Sequence, residues 1–325
     1  MAKGQVTAAD IARSLGISRA TVGYVLNNTP GQTISETTSQ RVLEEAKRLG
    51  YRPHAAARAL ASGRSRIVLL VLPDWPRDHS LQSHLDQAGA ALDDAGYSLV
   101  TMTQRAGSHA QPLWETLAPD VVLAMAPLTE DEVSRIRDSG VKHLISPDPV
   151  EHEVDEQHLG FADGPRLQVE HLLANGRRRL AYAGSTDPRL ADLVEMRRRS
   201  ADAVHRLMST ANVDRASVAD VVRGWVDAGV DGVVAYNDDV AALVLGAALR
   251  AGVDVPAQLA VVGHDDAPLA ELFVPGITSI RIDTVGLGRY LAALALSAAE
   301  PSASAVERPE AVASLVVRET SVETD

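Results

Sequence analysis

The sequence predicts an α/β protein, with an N-terminal all-α helix-turn-helix headpiece and a two-lobed body of parallel sheets flanked by helices. Three observations support this prediction. Short, capped helical segments fill residues 1–52, and apolar runs alternating with helical stretches fill residues 66–325. The two parts also differ in the sign of their net charge. A chain of 325 residues has room for a small domain and a larger one, and we place a linker at 53–65.

The composition is that of a folded protein without membrane segments. Hydrophobic residues make up 46% and charged residues 23% of the chain. No apolar run approaches the length of about 18 residues that a membrane helix needs, and the N-terminus lacks the apolar core of a signal peptide. The absence of cysteine excludes disulfides, thiolate metal sites and a cysteine nucleophile. We therefore expect a cytoplasmic protein.

The net charge of −12 hides an uneven distribution. Residues 1–66 contain ten lysines and arginines but only four acidic residues, a net charge of +6. The rest of the chain then carries −18. A basic segment joined to an acidic body favours contact between that segment and phosphate groups, although basic N-terminal arms also occur without any DNA-binding role.

Two short helices with clear caps open the chain. Thr7 and Asp10 have the spacing of a capping box, and Gly16 ends the helix that follows. Ser18 is a second N-cap, for a helix from residue 19 to about 27. Two capped helices joined by a glycine turn are typical of a helix-turn-helix, whose second helix enters the major groove of DNA.

The second helix has an apolar face and an outward face. Its inward side chains, at helical spacing, are Val22, Val25 and Leu26. The residues left facing outward are Arg19, Ala20, Gly23, Tyr24 and Asn27. A third helix, from near Ser35 to Gly50, is expected to close the core. The segment HAAARALASGR is too short to be a stable helix alone, so we expect it to fold on DNA or on a second copy of the chain.

The headpiece resembles that of the LacI/GalR family of transcription regulators. The resemblance rests on VTAADIARSLGISRATVGYVLNN followed by RVLEEAKRLGYRPHAAARAL. It implies base contacts from Arg19, Ala20 and Tyr24, phosphate contacts that fix the register, and a hinge leucine inserted into the minor groove. The implied DNA-binding residues are Thr7, Ser18, Arg19, Ala20, Thr21, Tyr24, Asn27, Asn28, His54, Ala57 and Leu60.

Some features of the headpiece depart from the family or have a second interpretation. Leu60 matches the hinge leucine, but it is also an apolar residue that would pack a pair of helices. Gly23 replaces the usual serine of the recognition helix and costs about 1 kcal/mol of helix stability relative to alanine. His54 stands where asparagine is common, so the hinge contacts to DNA are expected to differ.

The pattern changes at residue 66. The run RIVLLVLP predicts a strand buried on both faces, and YSLVTM, DVVLAMAP, VKHLISP, RLAYAG, GVVAYN and LAVVGHDD predict further strands separated by helices. Such alternation predicts two similar lobes with parallel sheets. Ligands of such sheets bind beyond the carboxyl ends of the strands, and this places a candidate cleft there.

The resemblance to the family extends to the body, and it implies that the body is similar to periplasmic binding proteins. It places Arg197 and Asp238 at positions that commonly bind the effector. The full set of candidate effector-binding residues is Asp74, Trp75, Phe161, Arg197, Asp238 and Asp265. Arg197 lies in a run of three arginines, which is also typical of a solvated helix face, and Asp265 and Asp266 could instead orient the loop that follows them. Between residues 206 and 233 the chain is shorter than usual, so one strand–helix unit is expected to be trimmed.

Other classes of protein fit the sequence less well. No strand is followed by a G-x-G-x-x-G or Walker loop, and no G-x-S-x-G elbow is present, which argues against an enzyme. A polar stretch carrying His152, Glu153, Asp155 and His158 is more typical of a solvated loop than of a metal site, so we expect neither metal nor cofactor. A solute-binding protein for transport would need export and would lack the headpiece.

These observations predict a regulator with three partners. We expect a homodimer that binds a near-palindromic operator in double-stranded DNA and responds to a small-molecule effector. The resemblance favours repression. Because the body departs from the pattern of the family, a second interpretation stays open. In it, the protein is a regulator whose pocket is degenerate and binds no small ligand.

Overall fold

A computed structural model of the protein describes residues 6–27, 31–51, 63–105, 110–147, 163–300 and 313–322. The headpiece consists of three helices, α1 (Ala8–Leu15), α2 (Arg19–Leu26) and α3 (Glu36–Leu49). They enclose a small core whose buried side chains are Ile11, Ala12, Val22, Val42 and Ala46. The three helices predicted from the sequence are confirmed, each within about one residue of its expected ends.

The caps explain why these short helices begin and end where they do. The Asp10 carboxylate accepts hydrogen bonds from the backbone N–H and the hydroxyl of Thr7, at 2.9 and 2.7 Å. Gly16 follows α1 with φ of +66°, a conformation that a side chain disfavours. The Ser18 hydroxyl accepts a hydrogen bond from the Thr21 N–H at 3.0 Å. These contacts satisfy groups that a helix end leaves unpaired.

The first lobe contains a four-stranded parallel sheet in the order β2-β1-β3-β4. Its strands are β1 (Ile67–Leu72), β2 (Ser98–Thr103), β3 (Val121–Ala124) and β4 (His143–Ile145). The helices between them are α4 (His79–Asp94), α5 (Leu113–Leu117) and α6 (Glu130–Asp138). Strand β1 is buried along almost its whole length, as its unbroken apolar run predicts.

The second lobe repeats this plan with the strand order β6-β5-β7-β8, also all parallel. Its strands are β5 (Leu180–Ser185), β6 (Ser209–Val213), β7 (Gly232–Ala235) and β8 (Ala260–Val262). Its helices are α7 (Asp163–Ala174), α8 (Ala191–Val204), α9 (Val218–Asp227), α10 (Asp238–Arg250) and α11 (Pro268–Leu272). The predicted pair of similar parallel lobes is confirmed.

The C-terminal part of the chain passes between the two lobes. Strands β9 (Ser279–Ile282) and β10 (Ala313–Val316) pair antiparallel beside the second lobe. Between them, α12 (Thr284–Ala299) returns to the first lobe and packs against α4. Gly288 allows the close crossing, because a Cβ there would lie 2.6 Å from the Gln87 Cβ and 2.8 Å from the His84 carbonyl oxygen.

The segment between residues 206 and 233 corrects one expectation. The sequence suggested that a strand–helix unit is trimmed there, but β6 and α9 are both present and β6 pairs with β5 over five residues. The shortening therefore does not remove an element of the lobe. The hinge segment predicted at 53–65 lies largely outside the described residues, which resume at Gly63.

Candidate DNA-binding and effector sites

Helix α2 presents the predicted base-facing side chains to solvent. Arg19 and Ala20 are exposed in its first turn, and Tyr24, one turn later, is 39% exposed. Among the described residues of the headpiece, Arg19, Arg41 and Lys47 form no ion pair, whereas Arg13 pairs with Asp10 and Arg48 with Glu45. The surface around α2 therefore keeps free positive charge.

The predicted phosphate-contacting residues lie at both ends of α2. The Ser18 and Thr21 hydroxyls are 2.8 Å apart at its N-terminus, where the helix dipole also favours negative groups. Thr7 holds the equivalent place at α1, and Asn27 is the exposed C-cap of α2. Gly23 lies on the same helix with open space where a Cβ would be. The other predicted DNA-binding residues, Asn28, His54, Ala57 and Leu60, lie outside the described residues.

Glu45 fixes the position of α3 relative to α1. Its carboxylate accepts hydrogen bonds from the Arg48 guanidinium at 2.6 and 2.7 Å and from the Ser14 hydroxyl. The Arg48 contacts are the main reason that the pKa of Glu45 falls to about 2.

In the body, Arg197 of α8 is buried, not part of a solvated face. It is 7% exposed, and its guanidinium lies 4.6 Å from the centre of the Tyr236 ring, a cation–π arrangement. Its Nη1 donates to the Tyr236 carbonyl oxygen at 2.5 Å and its Nη2 to Asp265 Oδ1 at 3.4 Å. Its Nε is buried with no partner in the described part of the chain. This resolves the alternative left open by the arginine run.

Asp265 forms the other half of this arrangement. It follows β8 with φ of +91°, and the next residue, Asp266, has φ of +46°; such backbone is costly for residues other than glycine. The His264 ring bonds to Asp265 Oδ1 through Nδ1 at 2.7 Å. Burial opposes ionisation of Asp265, but the Arg197 charge and His264 outweigh it and bring its pKa down to about 2. Asp265 is therefore an anchored carboxylate.

Asp266 has the structural role that the sequence left as an alternative for this pair. Its two oxygens accept hydrogen bonds from Arg281 Nε at 2.8 Å and Arg318 Nη2 at 2.7 Å. Its N–H donates to the Ser279 hydroxyl at 3.1 Å. The turn after β8 is thus tied to β9 and to the residues that follow β10.

Asp238 is placed differently from the other candidate effector residues. It is 1% exposed, and its oxygens accept hydrogen bonds from the Ser279 hydroxyl at 2.6 Å and the Ala267 N–H at 2.7 Å. Burial is the main reason that its pKa rises to about 7. Both oxygens are used within the protein, so Asp238 holds the loop beyond Asp266 in place.

The loop after β1 carries Asp74 and Trp75, as predicted, but also a residue that the sequence analysis did not select. Asp74 is 3.7 Å from Arg105 and is part-exposed, and Trp75 is half-buried. Asp78 caps α4 by accepting the Leu81 N–H at 2.8 Å. Burial, followed by the negative charge of Asp265, raises the pKa of Asp78.

Charges of the second lobe act on this carboxylate of the first lobe. Asp78 belongs to the first lobe, whereas Arg197, Asp239 and Asp265, whose charges all act on it, belong to the second. His79, beside Asp78, lines a cavity of about 450 Å³ together with Asp265, Arg281 and Asp283. Asp78 and His79 could have been selected from the sequence because they follow the loop of a buried strand. Phe161, the remaining candidate, lies outside the described residues.

Neither a metal centre nor a membrane helix is found in the described ranges. No group of three or more histidine, aspartate or glutamate side chains there is placed to hold a metal ion. The polar stretch with His152, Glu153, Asp155 and His158 lies outside those ranges. None of the described helices combines the length and the apolar character needed to cross a bilayer.

Two family models match the chain. Residues 7–54 match the model of bacterial regulatory proteins of the lacI family, and residues 169–321 match a periplasmic binding protein-like domain. The first covers the headpiece with α2, and the second covers the lobe that contributes Arg197 and Asp265.

Curated relatives align with nearly the whole chain. The HTH-type transcriptional regulator GntR of Pseudomonas aeruginosa is 30% identical over 305 residues, which cover 89% of this chain and 88% of the relative. The HTH-type transcriptional regulator CelR of Thermobifida fusca is 28% identical and covers 87% of this chain and 89% of its own. These relatives are transcription regulators, not enzymes.

Solved structures share the fold. A lac repressor dimer bound to operator and the anti-inducer ONPF superimposes with a TM-score of 0.76 at 22% identity, covering 98% of this chain and 99% of that one. A complex of the regulator CelR with cellobiose gives a TM-score of 0.60 at 23% identity, covering 97% and 100%. With the headpiece, the two-lobed body and the relatives taken together, this chain belongs to the LacI family and is a DNA-binding transcription regulator.

Proposed function

We propose that this regulator is a repressor that binds a near-palindromic operator as a homodimer and is modulated by a small-molecule effector. The observation that carries the proposal is the exposed face of α2, which presents Arg19, Ala20 and Tyr24 within a helix-turn-helix. A regulator of this kind works on the chromosome, so we place it in the cytoplasm of a bacterial cell.

The contacts to DNA divide into two kinds. Arg19 offers a bidentate donor that suits the O6 and N7 of guanine, and Ala20 offers apolar contact to a thymine methyl group. Ser18, Thr21 and the first N–H groups of α2 bind phosphates and fix the register. We assign the same positioning role to Thr7, Asn27 and Asn28, and assign the hinge contacts to His54, Ala57 and Leu60, the last as a minor-groove wedge.

The effector site lies between the lobes, around Arg197 and Asp265. Both are anchored by other side chains, and preorganised groups of this kind favour specific binding. We include Asp74, Trp75 and Phe161 in the lining and assign to Asp238 the role of holding the turn that carries Asp265. An effector that prefers one arrangement of the lobes changes DNA affinity by a coupling free energy of about 1–3 kcal/mol. A relative, CelR, has been solved with cellobiose, which supports a small ligand here.

The homodimer needs an apolar surface outside the two lobe cores. Leu272 at the end of α11 and Val274 beside it are 78% and 83% exposed, more than any other large hydrophobic side chain in the described residues. Exposed apolar groups of this size are costly in a monomer. We propose that a second copy of the chain covers them, in keeping with the dimeric lac repressor structure of the same fold.

The test is selection from a random duplex DNA library with the purified chain, followed by sequencing of the retained DNA. We expect an enriched palindrome with a guanine in each half-site and a pyrimidine–purine step at its centre, where a leucine wedge would unstack the bases most easily. An enriched single half-site would contradict the dimer. No enrichment at low salt, with and without metabolite mixtures, would contradict sequence-specific regulation.

A further inference from the structure

The hinge exit, which we define as residues 63–66, is held to the body by a buried carboxylate. Asp120, which precedes β3, is 6% exposed. Its Oδ1 accepts a hydrogen bond from the Ser65 N–H and its Oδ2 accepts one from the Arg66 N–H, both at 3.0 Å. The Arg66 backbone has φ of +55°, a conformation that is costly for a residue other than glycine. The two hydrogen bonds therefore hold the last residues before β1 in a conformation that the chain alone disfavours.

Two cationic side chains hold the first half of the hinge exit. Arg64 Nη2 donates to the carbonyl oxygen of Ala299, the last residue of α12, at 2.6 Å, and Arg64 Nη1 lies 3.5 Å from Oε1 of Glu300. The ammonium group of Lys142, directly before β4, donates to the Gly63 carbonyl oxygen. A cation suits the C-terminus of a helix, where carbonyl groups lack partners and the helix dipole is negative. The hinge exit is thus tied to three separate segments of the first lobe.

The second lobe contains the same carboxylate contact where no headpiece is attached. Asp231, which precedes β7, accepts hydrogen bonds from the N–H groups of Arg178 and Arg179 at 3.0 and 2.9 Å. Those two residues lead into β5 from α7, a helix of the same lobe. The carboxylate contact alone is therefore part of how each lobe is built. In the first lobe the residues that it holds continue toward the hinge and the headpiece, so there it also fixes where the hinge leaves the body.

The position of the hinge exit limits which DNA sites a dimer reaches. Each headpiece is joined to its body through one exit, so two fixed exits favour one separation of the half-sites. A residue of extended chain spans at most about 3.3–3.6 Å, and one base-pair step is about 3.4 Å. Releasing a single residue from each exit therefore adds reach comparable with one or two base pairs.

We propose that Arg64 and Asp120 are positioning residues for operator binding. By fixing the hinge exit on the body, they set the separation of the half-sites that the dimer selects. Arg64 acts through the C-terminus of α12, and Asp120 acts through the backbone of Ser65 and Arg66, so in this role neither side chain contacts DNA. This inference rests on the proposed homodimer and operator, and it adds a source of selectivity outside the recognition helix.

The experiment measures the preference for one half-site spacing. The full chain is bound to the operator selected from the library and to versions with one base pair inserted at the centre or removed from it. We expect the unaltered chain to bind the selected spacing on the order of tenfold more tightly, because one step both displaces and rotates the half-sites relative to each other. Arg64→Ala is expected to reduce this ratio to about threefold or less, since the released residues allow other separations. A partly unfolded sample lowers the affinity for all spacings alike, so a loss of stability leaves the ratio unchanged.

Two arginine variants are the controls for Arg64→Ala. Arg64→Lys keeps a donor for the end of α12 and a positive charge beside Glu300, and it is expected to retain the spacing preference. Arg177→Ala is the matched control, because Arg177 also donates to two backbone carbonyl oxygens, those of Pro256 and Ala257 at 2.8 Å, but lies in the second lobe. It is expected to leave the ratio unchanged.

The two equivalent carboxylates form a second matched pair. In Asp120→Asn and in Asp231→Asn, an amide N–H replaces one of the oxygens that accept from the backbone, so both variants are expected to lower the unfolding midpoint. Only Asp120→Asn is expected to reduce the spacing ratio. An equal reduction in both would give Asp120 a purely structural role and overturn its assignment.

The outcomes separate this inference from the proposed function. If the unaltered chain binds a palindromic operator but tolerates every spacing, or if Arg64→Ala keeps the full ratio, the positioning role of Arg64 is wrong and the regulator function stands. If the unaltered chain selects no operator at all, the proposed function fails, and the positioning role fails with it.

Discussion

Arg19 occupies the first turn of the recognition helix with no ion pair to hold it. Replacement by alanine is expected to remove preference for one base pair in each half-site, at a cost of about 1–3 kcal/mol, because a bidentate contact to guanine is lost. The measurement is the Kd for the selected operator and for operators changed at each position. Arg41→Ala is the control, since Arg41 is also an unpaired arginine of the headpiece but lies on α3. If Arg19→Ala weakens binding equally on every sequence, Arg19 contacts only phosphate.

Because burial raises the pKa of Asp238, we expect the stability of the protein to depend on pH in an unusual way. Its pKa of about 7 in the folded protein lies above the ordinary aspartate value of 3.8, chiefly because of burial. The folded state therefore binds more protons between these two values, and the Asp238 contribution to the free energy of unfolding falls as pH rises. The fall is about 1.4 kcal/mol per pH unit while the folded carboxyl stays protonated and the unfolded one is ionised.

Asp238→Asn tests this linkage. The amide keeps an oxygen for the Ala267 N–H and a donor for the Ser279 hydroxyl, but it does not titrate. Urea unfolding at pH 5 and pH 8 is expected to show a smaller loss of stability with pH in the variant than in the parent chain. An identical loss in both proteins would mean that Asp238 is already ionised at pH 5.

For single residues, the sequence was better at selecting candidate side chains than at predicting which groups those side chains contact. Asp265 was selected for its place at the end of a strand and Arg197 from a resemblance, and the two side chains form an ion pair. Asp238 was also selected from the resemblance but points both oxygens at protein donors, because the N-terminus of α10 and the turn after β8 approach each other. The loop after β1 marked the region of Asp78, but which residue of that loop lies near the charges of the second lobe depends on how the two lobes face each other, and no local pattern encodes that.

Helix α12 makes its tightest contact with α4 through a glycine. Gly288→Ala is expected to destabilise the protein by about 1–3 kcal/mol, because the added methyl group meets backbone atoms of α4 that cannot move independently. Chemical unfolding measures the change. Gly224→Ala in α9 is the control, since its Cβ meets nothing within 4 Å and alanine is expected to stabilise the helix by about 0.5–1 kcal/mol. A neutral Gly288→Ala would mean that the two helices separate easily.

The sequence predicted helices and strands well where a single apolar or capping pattern runs through the whole segment. The apolar runs of β1 and β7 and the capped helices of the headpiece are confirmed. Strand β6 is less apparent because its residues, STANV, are mostly small and polar and lie at the edge of the sheet. The expectation of a trimmed unit there came from the short length of the segment, and the structure shows that the strand and the helix are both present.

The exposed side chains of Leu272, at the end of α11, and of Val274, which follows that helix, bear on how two copies of the chain assemble. Leu272→Asp combined with Val274→Asp is expected to convert the homodimer into a monomer, because two charges would then be buried without partners at the interface. Sedimentation velocity measures the change, and operator affinity is expected to fall with it. Met208→Asp is the control, an exposed apolar residue elsewhere on the body that is 44% exposed. A dimer that survives the double change would place the interface on another surface.

For the molecule as a whole, the sequence predicted the organisation into two parts and the distribution of charge between them. A basic headpiece and an acidic body were predicted from the positions of lysine, arginine and acidic residues, and the division between them from the change of hydrophobic pattern at residue 66. The contacts between segments far apart in the chain, such as the one between Asp266 and Arg318, were not predicted. Contacts between residues so far apart in the chain produce no periodic pattern in the sequence.

The return of α12 to the first lobe has a consequence for how the protein emerges from the ribosome. Leu291, Ala292 and Ala295 complete the core beneath β1, yet they follow the end of that strand by more than two hundred codons. At ~5–20 residues per second, β1 waits on the order of 10–40 s for this cover. The headpiece, by contrast, needs only its own first fifty residues. During synthesis a DNA-reading headpiece therefore precedes a finished sensor, and the nascent chain must keep its half-covered first sheet from other chains until translation is almost over.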